Sequence, residues 1–193
     1  MTVLSSPTTA AAAANEFLQL GWGDKGVPPI TQMKLQKLLF YAHAWHLATR
    51  EKPLFEEDFE AWPWGPVLRD IYFQTREFGR EPITKHISRL TVAPGENHFL
   101  NARFETPALG DADQDVKAFI RSVWESHKPY SGIQLSNSTH APGEPWTIIK
   151  EKYRSLDGKP TIPNDLIAEV FKKKIVDAAA SRAAGAAAGN PAA

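Results

Sequence analysis

The stretch from Thr31 to about Thr49, TQMKLQKLLFYAHAWHLAT, constrains the fold more than any other part of the chain. Leu35, Leu38, Leu39, Ala42 and Trp45 recur at helical spacing and form an apolar stripe. Tyr41 and His46 flank that stripe, and Thr31 is placed to cap the helix. A helix carrying this many large side chains must be sunk into the middle of a domain. The expected fold is therefore mainly α: a single compact helical domain built around this segment.

Other helices are expected around it. Thr8 or Thr9 caps one through about Leu20, before Gly21, Gly23, Gly26, Pro28 and Pro29 interrupt it. Asp111 or Asp113 caps another to about His127, with Val116, Phe119, Ile120, Val123 and Trp124 at amphipathic spacing. Short helices follow at about 131–139 and 146–153, the latter with Pro145 in its first turn. Ile162-Pro163 opens a last helix over about 164–180. A small β element is expected near 54–62, where short aromatic stretches are interrupted by acids. Residues 80–110 carry weaker signals: Ile83 to Val92 fits a short helix or a strand, and Phe99 to Phe104 a strand. Pro63-Trp64-Gly65-Pro66 cannot be helix interior, because two prolines remove backbone donors. Pro66 fits the first turn of a helix from about Val67 to Phe78. The folded domain is expected over 1–178. The Ala/Gly-rich tail over 181–193 has nothing large to bury and is expected to be disordered.

With 193 residues, a chain of this size buries roughly 70% of its unfolded surface and needs no staple. It has no cysteine, which excludes disulfides, thiolate catalysis and cysteine-ligated metals. Lys plus Arg and Asp plus Glu both number 22, so the basic excess of a phosphate-neutralising protein is missing and nucleic-acid binding is disfavoured. No apolar stretch approaches a membrane span, and the N-terminus lacks the charge and core of a secretory signal. A cytoplasmic location is expected.

The chemistry-bearing patterns are sparse. There is no Gly-rich phosphate loop, no GxSxG and no HExxH. His43 and His46 share a helix face, but no carboxylate stands at ligand spacing, so neither metal nor cofactor is expected. The expectation is one histidine on the helix flank and the other in a buried hydrogen bond. Ser136, Thr139, His140 and acids near Asp58 permit a nucleophile–base arrangement that nothing in their spacing selects. More distinctive are the aromatic and Pro/Gly clusters. Trp62 and Trp146 are expected to fill core gaps, whereas Trp64, held between two prolines, is the better candidate for exposure. An exposed indole on a rigid loop is a favoured anchor for a protein partner.

Three runs, KLQKLLFYAHAWHLA, PLFEEDFEAWPWGPVLRDIY and LSNSTHAPGEPWTIIKEKY, resemble the Panacea domain family. Its members include SocA-like antitoxins and GepA-like phage-associated proteins. The resemblance covers about residues 11–155. It places the family's signature on Leu38, Tyr41, His43, Trp45, Ala61, Trp62, Gly65, Pro66, Val67, Tyr72, Leu135, Ser136, Thr139, His140, Pro145 and Trp146. It implies an antitoxin, not an enzyme, that neutralises a cognate protein toxin encoded nearby. For the SocA-like subset it also implies delivery of that toxin to a Clp-type protease. Partner contacts are expected at Trp62, Trp64, Gly65, Pro66, Val67, Ser136, Thr139, His140, Pro145 and Trp146. The terminal Asn190-Pro191-Ala192-Ala193 is similar to signals read by Clp unfoldases.

Two competing readings make distinct structural demands. A nucleic-acid-binding operon regulator needs basic residues on one face, such as Lys34 and Lys37 with Arg69. A hydrolase needs a pocket in which His140 meets an acid and a nucleophile.

Overall fold

In the computed structural model, which describes residues 7–92 and 102–188, the expected central helix is α2, Gln32–Arg50. The helices α1 (Ala10–Gly23), α4 (Gln114–His127), α5 (Gly132–Thr139) and α7 (Asn164–Ala188) pack around it. The shorter α3 (Arg69–Thr75) and α6 (Pro145–Tyr153) complete the helical set among the described residues. The fold is mainly α with small antiparallel β elements.

Local chemistry explains where the helices start. The hydroxyls of Thr9, Thr31 and Ser131 accept the backbone N–H groups of Ala12, Lys34 and Gln134, relieving donors that a helix start leaves unpaired. Gln134 returns the bond by accepting the Ser131 N–H at 2.9 Å. Ala10 to Ala14 are all buried, and their small side chains let α1 lie close against its neighbours.

The hydrophobic core runs from Ala10 to Phe171 and is centred on α2. It is broader than a stripe: Lys34, Gln36, Lys37, His43 and His46 are also buried, while Trp45, expected within the stripe, is only partly buried. Among the described residues, the β content is a three-stranded antiparallel sheet and a separate hairpin. The sheet has the order β2 (Gly65–Val67), β1 (Phe59–Trp62), β5 (Thr161–Ile162). Ala61 faces Pro66 across β1–β2, and Phe59 faces Ile162 across β1–β5. The hairpin joins β3 (Arg89–Val92) to β4 (Ala102–Glu105). The part of the expected 99–104 strand at 99–101 lies outside the described residues.

Several expectations are corrected. Leu54 and Phe55 are buried but belong to no strand. Pro66 lies in β2 and not in a helix, which begins only at Arg69. It sits in an edge strand, where a missing N–H costs little. Ile162 closes the sheet instead of opening α7. That helix continues past 180 to Ala188, consistent with alanine having the highest helix propensity. The helical stretch 181–188 replaces the first part of the expected disordered tail; residues 189–193, with the terminal Ala-Ala, lie outside the described residues.

Candidate partner-binding site

The β1–β2 turn is held by its backbone. Trp146 Nε1 donates to the Trp62 carbonyl at 2.8 Å. Ser136 Oγ donates to the Trp64 carbonyl at 2.9 Å, and Lys37 Nζ donates to the Pro66 carbonyl at 2.9 Å. Gln36 takes both groups of the next alternate residue: its Nε2 donates to the Leu68 carbonyl at 3.2 Å and its Oε1 accepts the Leu68 N–H at 2.8 Å. Four carbonyls at alternate positions, 62, 64, 66 and 68, are therefore each bound by a side chain from α2, α5 or α6. Positions 62 and 64 lead into the reversal and 66 and 68 follow it, so the clamp holds the backbone on both arms of the turn, while Pro63 and Trp64 at its tip stay exposed.

Close packing completes the clamp. Gly65 has φ +102°, and a Cβ there would lie 2.7 Å from both Lys37 Nζ and Thr139 Oγ1. Thr139 donates its hydroxyl to the Ser136 carbonyl at 2.7 Å, fixing the helix turn that carries Ser136. Burial pushes the Lys37 ammonium down to about 7 from its ordinary 10.5.

The ten residues expected at a partner surface separate by burial. Gly65, Pro66, Val67, Ser136, Thr139, Pro145 and Trp146 are buried, and Trp62 and His140 are half-buried. Trp64 stands at the turn with 69% of its surface exposed. Trp146 fills the core as expected; Trp62 packs its ring against Tyr72 at 4.7 Å and donates Nε1 to Glu60.

His140 was expected at the partner surface, or in a hydrolase reading beside an acid and a nucleophile. Instead its ring meets Trp146 edge-on at 3.9 Å, and its Nε2 is buried with no hydrogen-bond partner among the described residues. Desolvation first, and then the positive charges of Lys37 and Lys150, lower its pKa. Ser136 and Thr139 commit their hydroxyls to carbonyls, and Asp58 lines a separate cavity beside Arg69 and Arg89. The arrangement required by a His140 hydrolase is not assembled.

The histidines of α2 are both buried, so neither is the flank residue expected. His43 Nε2 meets Asn164 Oδ1 at 2.9 Å, and His46 Nδ1 meets the Lys52 carbonyl at 2.7 Å. No cluster of three or more potential metal ligands occurs among the described residues.

The basic face required by an operon regulator is also taken apart. Lys34 is buried and donates to the carbonyls of Pro28 and Lys128, Lys37 is in the clamp, and Arg69 is paired with Glu60 at 2.8 Å. Sequence reasoning missed Gln36 and Lys37 as clamp residues. Their signal was position: Lys37 lies one helical turn before Tyr41 and two before Trp45, on a face already crowded with large side chains.

The site is a helical core that braces an exposed indole, and comparison with known families defines the class. The chain belongs to the antitoxin SocA-like, Panacea domain family, whose model matches residues 35–147. Antitoxin SocA of Caulobacter vibrioides (strain NA1000 / CB15N) is 32% identical over 121 residues, covering 63% of this chain and 60% of that protein. The match thus spans less than two thirds of the relative's length. No solved structure matches the chain. No helix among the described residues is long and apolar enough to cross a membrane.

Proposed function

We propose that this chain is an antitoxin that neutralises a cognate protein toxin encoded nearby by direct, stoichiometric binding and not by catalysis. The observation that carries the reading is Trp64: an indole 69% exposed on a turn whose carbonyls are held at four alternate positions. Exposing so large an apolar side chain has no folding benefit, whereas a rigidly mounted indole loses little entropy when a partner covers it. The buried signature residues support the turn, and Trp64, with the exposed parts of Trp62 and His140, makes the contact. A stable complex needs about 1,200–2,000 Å² of total interface, which a domain of this size supplies. In the same reading the bound toxin is handed to a Clp-type protease, in keeping with the SocA-like family.

Co-expression with the neighbouring open reading frame, followed by pull-down and a growth assay, tests the proposal. The expected result is a stable complex and rescued growth. Trp64→Ala should weaken binding by about tenfold or more while leaving the melting temperature unchanged. No toxicity and no bound partner would refute the antitoxin reading. Toxin lifetime unchanged in cells lacking the Clp protease would refute the delivery step alone.

A further inference from the structure

Cations stand against the indoles that form and support the β1–β2 turn. Lys159 Nζ lies 4.0 Å from the centre of the Trp62 ring. Trp62 is joined through its carbonyl to Trp146, and Lys150 Nζ lies 5.1 Å from the centre of that ring. Neither lysine has a carboxylate within ion-pair distance among the described residues, whereas Arg69 is already neutralised by Glu60, the carboxylate that accepts the Trp62 indole N–H. The segment 150–160 contains Lys150, Lys152, Arg154 and Lys159 against Glu151 and Asp157. A chain that is neutral as a whole therefore sets unmatched positive charge on Trp62 and Trp146, the first of them two residues from its most exposed indole, Trp64.

We infer that the surface formed by Trp62, Trp64, Lys150 and Lys159 binds an acidic segment of the protein partner, with carboxylates meeting the two lysines and an apolar side chain covering Trp64. This rests on the reading of the chain as a protein binder and adds the chemistry of what it binds. Ring faces hold both ammonium groups in place without neutralising them, so their charge stays available to a partner. Positive charge beside an apolar anchor steers an acidic partner and fixes its register. A nucleic acid is less well served, because affinity for a polyanion grows with the number of phosphates neutralised, and only a few free cations stand here.

The full-length chain, labelled for NMR, is titrated with a synthetic Asp/Glu-rich peptide carrying two phenylalanines, and separately with a single-stranded oligonucleotide. The peptide should shift the indole N–H signals of Trp62 and Trp64. Lys150→Glu with Lys159→Glu should weaken peptide binding by at least about tenfold, while Arg121→Glu with Lys173→Glu, of equal charge change, should not. Lys159→Gln, which spares the β1–β2 turn a new negative charge, should give an intermediate loss. Unmoved indoles, equal affinity in the two double variants, or a response to the oligonucleotide alone would overturn the inference. Failure of toxin neutralisation with peptide binding intact would count against the antitoxin reading and leave the acidic-ligand surface standing. Rescued growth with no peptide response would do the reverse.

Discussion

Lys37 shows how one side chain can be both costly and indispensable. The residue is 1% exposed and its ammonium has no carboxylate partner, so burial disfavours its charged form and lowers its pKa to about 7. The unfolded chain keeps the ordinary value of 10.5. Between these two values the unfolded state holds a proton that the folded state has released, so stability rises with pH across that window. Lys37→Met removes this contribution and leaves the Pro66 carbonyl unpaired. Urea unfolding at several pH values should therefore show wild type gaining on the variant from about pH 7 to 10. The difference should grow by at most about 1.4 kcal/mol per pH unit. A constant difference would mean that Lys37 is not the titrating group.

At the scale of elements, the turn between β1 and β2 depends on glycine for space as well as for conformation. Gly65→Ala places a methyl group against Lys37 and Thr139 at positive φ, and should cost at least about 2 kcal/mol, read as a lower urea midpoint. The helices were legible because their signals are local: hydroxyl caps at Thr9, Thr31 and Ser131, and apolar spacing along α2 and α4. The sheet was only half legible. β1 announces itself by alternation, but β5 is two residues that become a strand only by meeting Phe59 and Glu60 across about a hundred residues of chain. Pro66 looked like a helix start because its own chemistry allows both roles; contacts from α2 decide between them. The same limit applied to the candidate site. Aromatic and Pro/Gly clustering located the turn, whereas the donors on Gln36 and Lys37 are recognisable only once α2 lies beneath it.

Across the whole molecule, buried histidines set the response to acid. Burial holds His43 down to about 4 from its ordinary 6.5, and lowers His46, His127 and His140 as well. On acidification the unfolded chain takes up protons that these rings refuse, so stability falls from about pH 6.5 towards pH 4. The melting temperature should drop over that interval, and His43→Leu should flatten part of the fall. A profile level from pH 7 to 4 would contradict the burial of these rings.

The clamp on the β1–β2 turn addresses carbonyl groups, which every amino acid carries. Nothing in it reads the side chains at positions 63 and 64, both of which are exposed. The tip therefore behaves like a tool holder whose bit can be exchanged. If the tip is the contact proposed above, substitutions there would change what is gripped without loosening the grip of the holder, and one scaffold would acquire new partners by altering its outermost residues while Gln36, Lys37, Ser136 and Trp146 stay unchanged.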